Sequence, residues 1–202
     1  MTRPERIILA SNSPRRRELL TSLGLQFQVL APQVDEKAIC DPSLPPEAYV
    51  ESLASAKGES ISRHHPDALV ISADTVVVLN GQFLEKPANQ ADARRMLDAL
   101  QGTTHQVATA IGVFYQDRQL VRAKITTVRI ASLSADEIAA YVETGEPMDK
   151  AGAYAIQGIG GQFVESIDGC YSNVVGLSLP LLKTLLSELG INLLTDYRLQ
   201  TS

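Results

Sequence analysis

Residues 7–16 read Ile-Ile-Leu-Ala-Ser-Asn-Ser-Pro-Arg-Arg. The first four residues form a short apolar run that ends in polar turn residues, a pattern typical of a buried strand. Ser13 and Pro14 favour a helix start, because the hydroxyl can cap free amides and the first turn does not need the N–H that proline lacks. The stretch therefore predicts a strand that leads directly into a helix.

The same patterns continue along the chain. Predicted strands cover residues 27–30, 69–73, 76–79, 107–115 and 120–130, and predicted helices cover about 47–63, 91–100 and 181–189. Asn80-Gly81 lies between apolar segments and predicts a β-hairpin. Ser134 and Glu137 have the spacing of a capping box at the start of another helix. Because hairpins occur beside strand-to-helix turns, we expect an α/β protein with a mixed sheet and flanking helices.

Composition limits the possible function classes. The 202 residues are 45% hydrophobic and 20% charged, which suits a single domain over residues 1–202, including one with two lobes. The net charge of −5 argues against a general nucleic-acid binder. Cys40 and Cys170 have no metal-like spacing, and the polar segment Met1–Arg6 has no apolar core. We therefore expect no disulfide framework, no membrane anchor and a cytoplasmic location.

The turn from Ser11 to Arg16 is the first candidate site. Helix amides and the positive end of the helix dipole would point at whatever lies beyond this turn. Arg15 and Arg16 would add charge-assisted, often bidentate, contacts to phosphate oxygens. A well-capped helix with solvated arginines would have the same sequence, so the segment is compatible with both interpretations.

Acidic residues form the second candidate site. Asp74 follows a continuous apolar run and is predicted to lie at a strand end, where a carboxylate needs a partner. A metal ion is one such partner, because Mg²⁺ and Mn²⁺ prefer carboxylate oxygens and retain waters for phosphate chemistry. An aspartate that begins a turn is the other interpretation. Asp35 and Glu36 form a further acidic pair, and acidic sites beside a basic pocket would suit metal-assisted hydrolysis if they meet in space.

Two lysines and a glycine-rich segment complete the candidates. Lys57 lies on the predicted long helix and Lys86 follows the hairpin, and a solvated lysine is the ordinary alternative for each. Residues 150–161 are rich in glycine, which permits close backbone approach to a ligand, although they match neither a P-loop nor a dinucleotide fingerprint. Within them, Gln157 has an amide that can both donate to and accept from a base edge. A surface loop that needs glycine for its turns would look the same.

These segments also occur in a specific order. Along the chain they are LASNSPRR, VDEK, ADTVV, LEKP, QGTTHQV, DKAGAYAIQGIGG and VVGLSLP. Together they resemble the Maf nucleotide pyrophosphatases from about Ile7 to Leu182. The resemblance implies an inosine triphosphatase-like mixed α/β fold with two lobes around a deep cleft. It also implies metal-dependent hydrolysis of the bond between the α- and β-phosphates.

The resemblance further implies the roles of individual residues. The residues that it assigns to substrate binding are Ser11, Arg15, Arg16, Lys57, Thr75, Lys86 and Gln157. It assigns metal binding to Glu36 and Asp74, and Asp74 also matches the catalytic proton acceptor. Arg15, Thr75 and Gln157 fall where the family sorts substrates, and this trio resembles the branch that acts on dTTP and UTP.

The function implied is therefore a nucleoside triphosphate pyrophosphatase, a hydrolase that converts dTTP and UTP, or modified pyrimidine nucleotides, to the monophosphate and pyrophosphate. The expected cofactor is Mg²⁺, Mn²⁺ or Co²⁺, and the family resemblance implies a homodimer. A non-catalytic nucleotide-binding regulator of septum formation and cell division is the alternative. An RNA-binding module is disfavoured, because the chain is acidic and has no evident aromatic platform, and we expect no stable nucleic-acid binding.

Overall fold

The computed structural model describes residues 4–197 and contains a seven-stranded mixed sheet with helices. The strands are β1 (Arg6–Ala10), β2 (Gln28–Leu30), β3 (Ala68–Leu79), β4 (Gln82–Leu84), β5 (Thr104–Tyr115), β6 (Arg118–Ile130) and β7 (Val164–Asp168). The α-helices are α1 (Pro14–Thr21), α2 (Glu36–Ile39), α3 (Pro46–Ser62), α4 (Gln90–Leu100), α5 (Ala135–Glu143), α6 (Tyr171–Val175), α7 (Leu179–Glu188) and α8 (Leu193–Asp196). Short 3₁₀ helices cover Glu146–Asp149, Ala151–Ala153 and Ile159–Phe163.

Strand pairing confirms the predicted mixed sheet. The hydrogen-bonded order is β2-β1-β3-β5-β6-β7, and β4 pairs with β3 outside this path. β1 runs parallel to both β2 and β3, as expected when strands are connected through helices. The pairs β3–β4 and β6–β7 are antiparallel. Hairpins and helical crossovers therefore contribute to the same sheet.

The chain divides into two compact units, each built from several segments. Within the described range, unit 1 comprises residues 4–74, 109–124 and 176–197. Its largest apolar cluster is built on β1 and β3 and on helices α1 and α7, and it includes Ile7, Leu9, Leu20, Leu69, Ile71, Ile111, Leu182, Leu185 and Leu186. These side chains are almost completely buried, so the first strand-helix segment is anchored in a packed core.

Unit 2 comprises residues 75–108 and 125–175 and has a core of its own. This core is supplied by helices α4 and α5, by the adjoining strands and by the glycine-rich segment, and it includes Val77, Leu97, Leu100, Val107, Val128, Ile138, Tyr141, Tyr154 and Phe163. Gly152 permits the close packing, because a Cβ there would lie 2.9 Å from Val77 Cγ2. The predicted glycine-rich loop is therefore packed against its unit at this point.

Local signals in the sequence identify several elements correctly. The Asn80-Gly81 hairpin is confirmed: both residues have positive φ, as a type I′ turn requires, and Leu79 pairs with Gln82. The Ser134 capping box is also confirmed, with both reciprocal hydrogen bonds present. No helix among residues 4–197 is long and apolar enough to cross a membrane. Residues 1–3 of the polar first segment lie outside the described residues.

One prediction about β3 is wrong. The strand does not end at Asp74 but continues without interruption from Ala68 to Leu79. The sequence pattern was misleading because a charged residue inside an apolar run usually marks a boundary. Here the Asp74 carboxylate has a cationic partner, so the strand can continue through it.

Candidate active site

Asp74 is the centre of the candidate site in unit 1. It is held by β3, and only 7% of the residue is exposed. Its Oδ1 atom lies 2.6 Å from the Nζ atom of Lys57, which projects from α3 and is equally buried. A buried ion pair of this kind requires both partners, because removal of one leaves an uncompensated charge in an apolar environment.

Glu36 reaches the same lysine from a different segment. Its Oε1 atom lies 3.0 Å from Lys57 Nζ, and about half of its side chain is exposed. The short helix α2 begins at Glu36, directly after Asp35 at the N-cap. Two carboxylates, one buried and one open to solvent, therefore converge on one ammonium group.

Arg16 is fixed next to this cluster by backbone carbonyls. Its Nε donates to the carbonyl of Gly176 at 2.9 Å, and its Nη1 donates to the carbonyl of Ala73 at 2.8 Å. The same Nη1 lies 3.3 Å from the hydroxyl of Ser11. Ser13 caps α1 as predicted, since its side chain accepts a hydrogen bond from the Arg16 amide. The Arg16 guanidinium is thus bonded to the carbonyl of Ala73, the residue that directly precedes Asp74 in β3.

The pKa values in the cluster reflect burial and charge in competition. Burial raises the pKa of Asp74, while the positive charges of Lys57 and Arg16 act in the opposite direction. The net shift is upward, so this carboxylate is more basic than an ordinary aspartate. Burial lowers the pKa of Arg16, and the charge of Asp74 opposes this effect. An arginine nevertheless stays protonated in a protein, so the cation is permanent.

The other predicted site residues are distributed between the two units. Arg15 is partly buried on α1 of unit 1, where its charge acts on Arg16. Thr75 belongs to unit 2 and is partly buried in β3, and Lys86 is exposed after β4 in the same unit. Gln157 is also in unit 2, partly buried between two 3₁₀ helices. Contacts within unit 1 bring together Ser11, Arg16, Glu36, Lys57 and Asp74. Unit 2 contains Thr75, Lys86 and Gln157.

Comparison with known proteins identifies the family. The model of the family described as "Maf-like protein" matches residues 6–189. The chain belongs to the Maf family. The match includes every residue of the cluster around Asp74.

Similar sequences agree with this assignment, and two solved structures have a similar fold. A protein of Gloeobacter violaceus named dTTP/UTP pyrophosphatase is 50% identical over 183 residues, covering 91% of this chain and 95% of the relative. A protein of Symbiobacterium thermophilum with the same name is 47% identical, covering 95% and 97%. Among solved structures, a HAM1 protein from Coxiella burnetii has a TM-score of 0.51 at 15% identity, covering 91% of this chain and 98% of the other. The Staphylococcus aureus Ham1 protein has a TM-score of 0.50 at 16% identity, covering 91% and 99%.

The solved structures bear on the fold alone, since their sequence identity is low. They confirm the expected mixed α/β fold with an open sheet and flanking helices. The Maf fold thus places β1 and β3 side by side in register, so that Ala10 pairs with Ser72. This pairing puts Ser11, which directly follows β1, in the same region of unit 1 as Asp74 within β3.

The cluster around Asp74 contains two carboxylates, those of Glu36 and Asp74, whose oxygens are the type of ligand that a divalent cation prefers. Within residues 4–197 there is no group of three or more His, Cys, Asp or Glu side chains arranged to hold a metal. Mg²⁺, however, is commonly bound by one or two carboxylates together with waters and substrate phosphates. Glu36 and Asp74 each place an oxygen within 3.0 Å of the same lysine nitrogen, so these two oxygens are close to each other. Two carboxylates are a type of donor set that such a cation uses together with waters and phosphates.

Two features of the site could not be found from the sequence. The carbonyls of Ala73 and Gly176 fix Arg16, but a carbonyl is present in every residue and gives no signal in a sequence. Gly176 did occur in the motif VVGLSLP, yet its backbone role depends on the fold. Glu146 was missed as well, although it lies four residues before the glycine-rich segment and bonds to it.

Proposed function

We propose that this chain is a nucleoside triphosphate pyrophosphatase that converts dTTP and UTP to the monophosphate and pyrophosphate. The observation that carries the proposal is the buried Asp74–Lys57 pair with Glu36 and Arg16 beside it. This arrangement occurs in a Maf family chain that is about half identical, over nearly its whole length, to proteins named dTTP/UTP pyrophosphatase.

The cations of the cluster would bind the polyphosphate. Arg16 offers a fixed positive charge, because two backbone carbonyls hold its guanidinium and little side-chain entropy remains to be lost on binding. Lys57 adds a second charge 2.6 Å from Asp74 Oδ1, and Ser11 and Arg15 would complete the phosphate-binding segment. As charge builds on the bridging oxygen, these groups would stabilise it more than they stabilise the ground state.

Asp74 would act on the attacking water. Its raised pKa makes the carboxylate a better proton acceptor than an exposed aspartate, and the oxygen freed of its proton then bonds to the α-phosphorus. The bond from that phosphorus to the bridging oxygen breaks, and pyrophosphate leaves with the electron pair. Glu36 and Asp74 would hold a divalent cation, Mg²⁺, Mn²⁺ or Co²⁺, which when bound lowers the pKa of a water and neutralises phosphate charge.

Residues of unit 2 would select the base. Gln157 and Thr75 offer amide and hydroxyl groups that can bond to the edge of a pyrimidine, and Lys86 would add a contact to phosphate. A binding site built for hydrogen bonds rejects analogues that leave its polar groups unpaired.

We also propose a cytoplasmic location, where nucleoside triphosphates are used, and a homodimer, which size-exclusion chromatography with light scattering would test.

The decisive experiment measures pyrophosphate release by the purified protein. The substrates are dTTP, UTP, dCTP, ATP and GTP, each with Mg²⁺, Mn²⁺ or Co²⁺. We expect Asp74→Asn to retain its fold and to lose turnover by a factor on the order of 10² or more. Asp67→Asn is the matched control, since Asp67 is exposed directly before β3 and is expected to change nothing.

Three outcomes would contradict parts of the proposal. Near-normal turnover by Asp74→Asn would exclude the role of that carboxylate. Equal hydrolysis of all five nucleotides would exclude pyrimidine selection. Tight binding of dTTP without pyrophosphate release by the unmodified protein would favour the regulator that the sequence left as an alternative.

A further inference from the structure

The carboxylate of Glu146 is bonded to the glycine-rich loop of unit 2. Its Oε1 atom accepts a hydrogen bond from the amide of Gly160 at 2.9 Å, and its Oε2 atom accepts one from the amide of Ile159 at 3.0 Å. Oε1 also accepts a hydrogen bond from the Tyr141 hydroxyl at 2.9 Å. A single side chain thus ties two successive loop amides to the end of α5.

Tyr141 connects the other side of the loop to the same carboxylate. Its hydroxyl accepts a hydrogen bond from the amide of Ala155 at 3.3 Å. The loop is therefore anchored at Ala155 and again at Ile159, with Gln157 midway between these two points. Because few backbone torsions separate the anchors, the position of Gln157 is restricted on both sides.

The loop sequence is adapted to this contact. Gly158 has φ +77° and ψ −149°, a backbone conformation that is essentially restricted to glycine. A Cβ at this position would lie 2.6 Å from Glu146 Oε2. At Gly160, a Cβ would lie 2.5 Å from the Tyr141 hydroxyl. Glycine at both positions lets the loop backbone approach the carboxylate and the phenol closely.

Charge strengthens the contact. Burial acts to raise the pKa of Glu146, but the amides of Gly160 and Ile159, the Tyr141 hydroxyl and the charge of Lys150 together outweigh it, so the net shift is downward. The group is therefore a carboxylate at neutral pH, and hydrogen bonds from amides to an ionised acceptor are stronger than those to a neutral one. Lys150 supports the same turn, since its Nζ donates to the backbone carbonyl of Glu146 at 2.6 Å.

We propose that Glu146 is a positioning residue for base selection, because it fixes the loop that carries Gln157. The inference rests on the proposed function, in which Gln157 contacts the base. Uracil and thymine present an N–H between two carbonyl oxygens, whereas cytosine presents a ring nitrogen acceptor beside an amino group. A glutamine amide can bond to either pattern, so its selectivity depends on where the loop places it relative to the edge of the base. The ligand class assigned to this loop is accordingly the uracil or thymine ring.

The test compares kinetics of variants on dTTP, UTP and dCTP. Glu146→Ala removes three hydrogen bonds, and we expect the preference for dTTP over dCTP in kcat/KM to fall by at least about tenfold, as for loss of hydrogen-bonded selection. The loss should appear in KM for dTTP, with kcat largely retained, since the chemistry takes place at Asp74. Glu146→Gln retains an acceptor and should restore part of the preference. Glu143→Ala, an exposed glutamate at the end of α5, is the matched control.

The same contact can also be disrupted by a substitution in the loop. Gly158→Ala pushes a methyl group into the Glu146 carboxylate and should lower the preference in the same way. Gly190→Ala controls for an alanine at positive φ, because its φ of +76° is similar and its Cβ would meet nothing within 4 Å. Thermal unfolding of each variant establishes that the protein is folded. These two variants keep the test valid if Glu146→Ala does not fold.

A double-mutant cycle with Gln157→Ala separates positioning from general destabilisation. If Glu146 acts through Gln157, the preference for dTTP over dCTP in kcat/KM will be no lower in the double variant Glu146→Ala/Gln157→Ala than in Gln157→Ala alone. Additive losses, or unchanged selection in folded Glu146→Ala and Gly158→Ala, would overturn the inference. A wild-type protein that releases no pyrophosphate would instead refute the proposed function. Wild-type selection for dTTP together with unchanged selection in the Glu146 variants would refute the inference alone.

Discussion

Replacing His105 by glutamine is expected to remove a defined part of the protein's sensitivity to acid. His105 lies on β5 with only 2% of its surface exposed, and its Nε2 is 2.8 Å from the hydroxyl of Tyr154. Its Nδ1 atom is buried and has no hydrogen-bond partner among the described residues. A second ring N–H would therefore be placed where nothing accepts it, which adds to the cost of protonating a buried imidazole.

The size of the effect follows from the pKa. Burial lowers the pKa of His105 from 6.5 to about 4. Between these two values the unfolded chain binds a proton that the folded protein does not, so stability rises with pH in this window. The contribution is complete above pH 6.5 and is lost as the pH falls towards 4. Since one pKa unit corresponds to about 1.36 kcal/mol, the total is about 3 kcal/mol.

The assay is urea denaturation at several pH values between about 7 and 4.5, where the pKa difference acts. His105→Gln retains an amide that can bond to Tyr154, and its free energy of unfolding should fall less with acidification than that of the wild type. Carboxylates with lowered pKa, such as Glu137, destabilise both proteins equally at the acid end, so the difference between the curves isolates His105. His64→Gln, at an exposed site, is the control. Parallel curves for wild type and His105→Gln would refute the reasoning.

Three further predictions concern packing, capping and phosphate binding. Gly58→Ala should destabilise the protein by about 1–3 kcal/mol, because a Cβ there would overlap the ring of Phe114; an unchanged denaturation midpoint would contradict this. Ser134→Ala removes the N-cap half of the box with Glu137 and should cost about 1 kcal/mol, visible as a lower Tm, and an unaltered Tm would show that the cap contributes nothing. In Arg16→Lys, the ammonium group has no planar fork with which to donate to both carbonyls. Because charged hydrogen bonds contribute about 1.5–3 kcal/mol each, we expect KM for dTTP to rise at least about tenfold. Unchanged KM in that variant would mean that any cation suffices.

The accuracy of the sequence predictions depended on how local the signal was. The hairpin at Asn80-Gly81 and the capping box at Ser134 were found because their hydrogen bonds join residues at most three positions apart. The start of α1 was found for the same reason, since Ser13 caps the amide of Arg16. Asp74 was wrongly placed at a strand end, because the partner that permits it inside β3 lies 17 residues earlier on another element.

By itself, the sequence determined the class of fold, the order of the elements and the identity of the charged groups. Only the tertiary structure decided which of them meet: Lys57 lies between Glu36 and Asp74, Arg16 bonds to the carbonyls of Ala73 and Gly176, and Glu146 holds the loop around Gln157. The physical reason is that secondary structure follows from hydrogen bonds and side-chain periodicity over a few residues. A buried charge, by contrast, is stable only with partners that chain folding brings from distant positions, and many of those partners are backbone groups common to every residue.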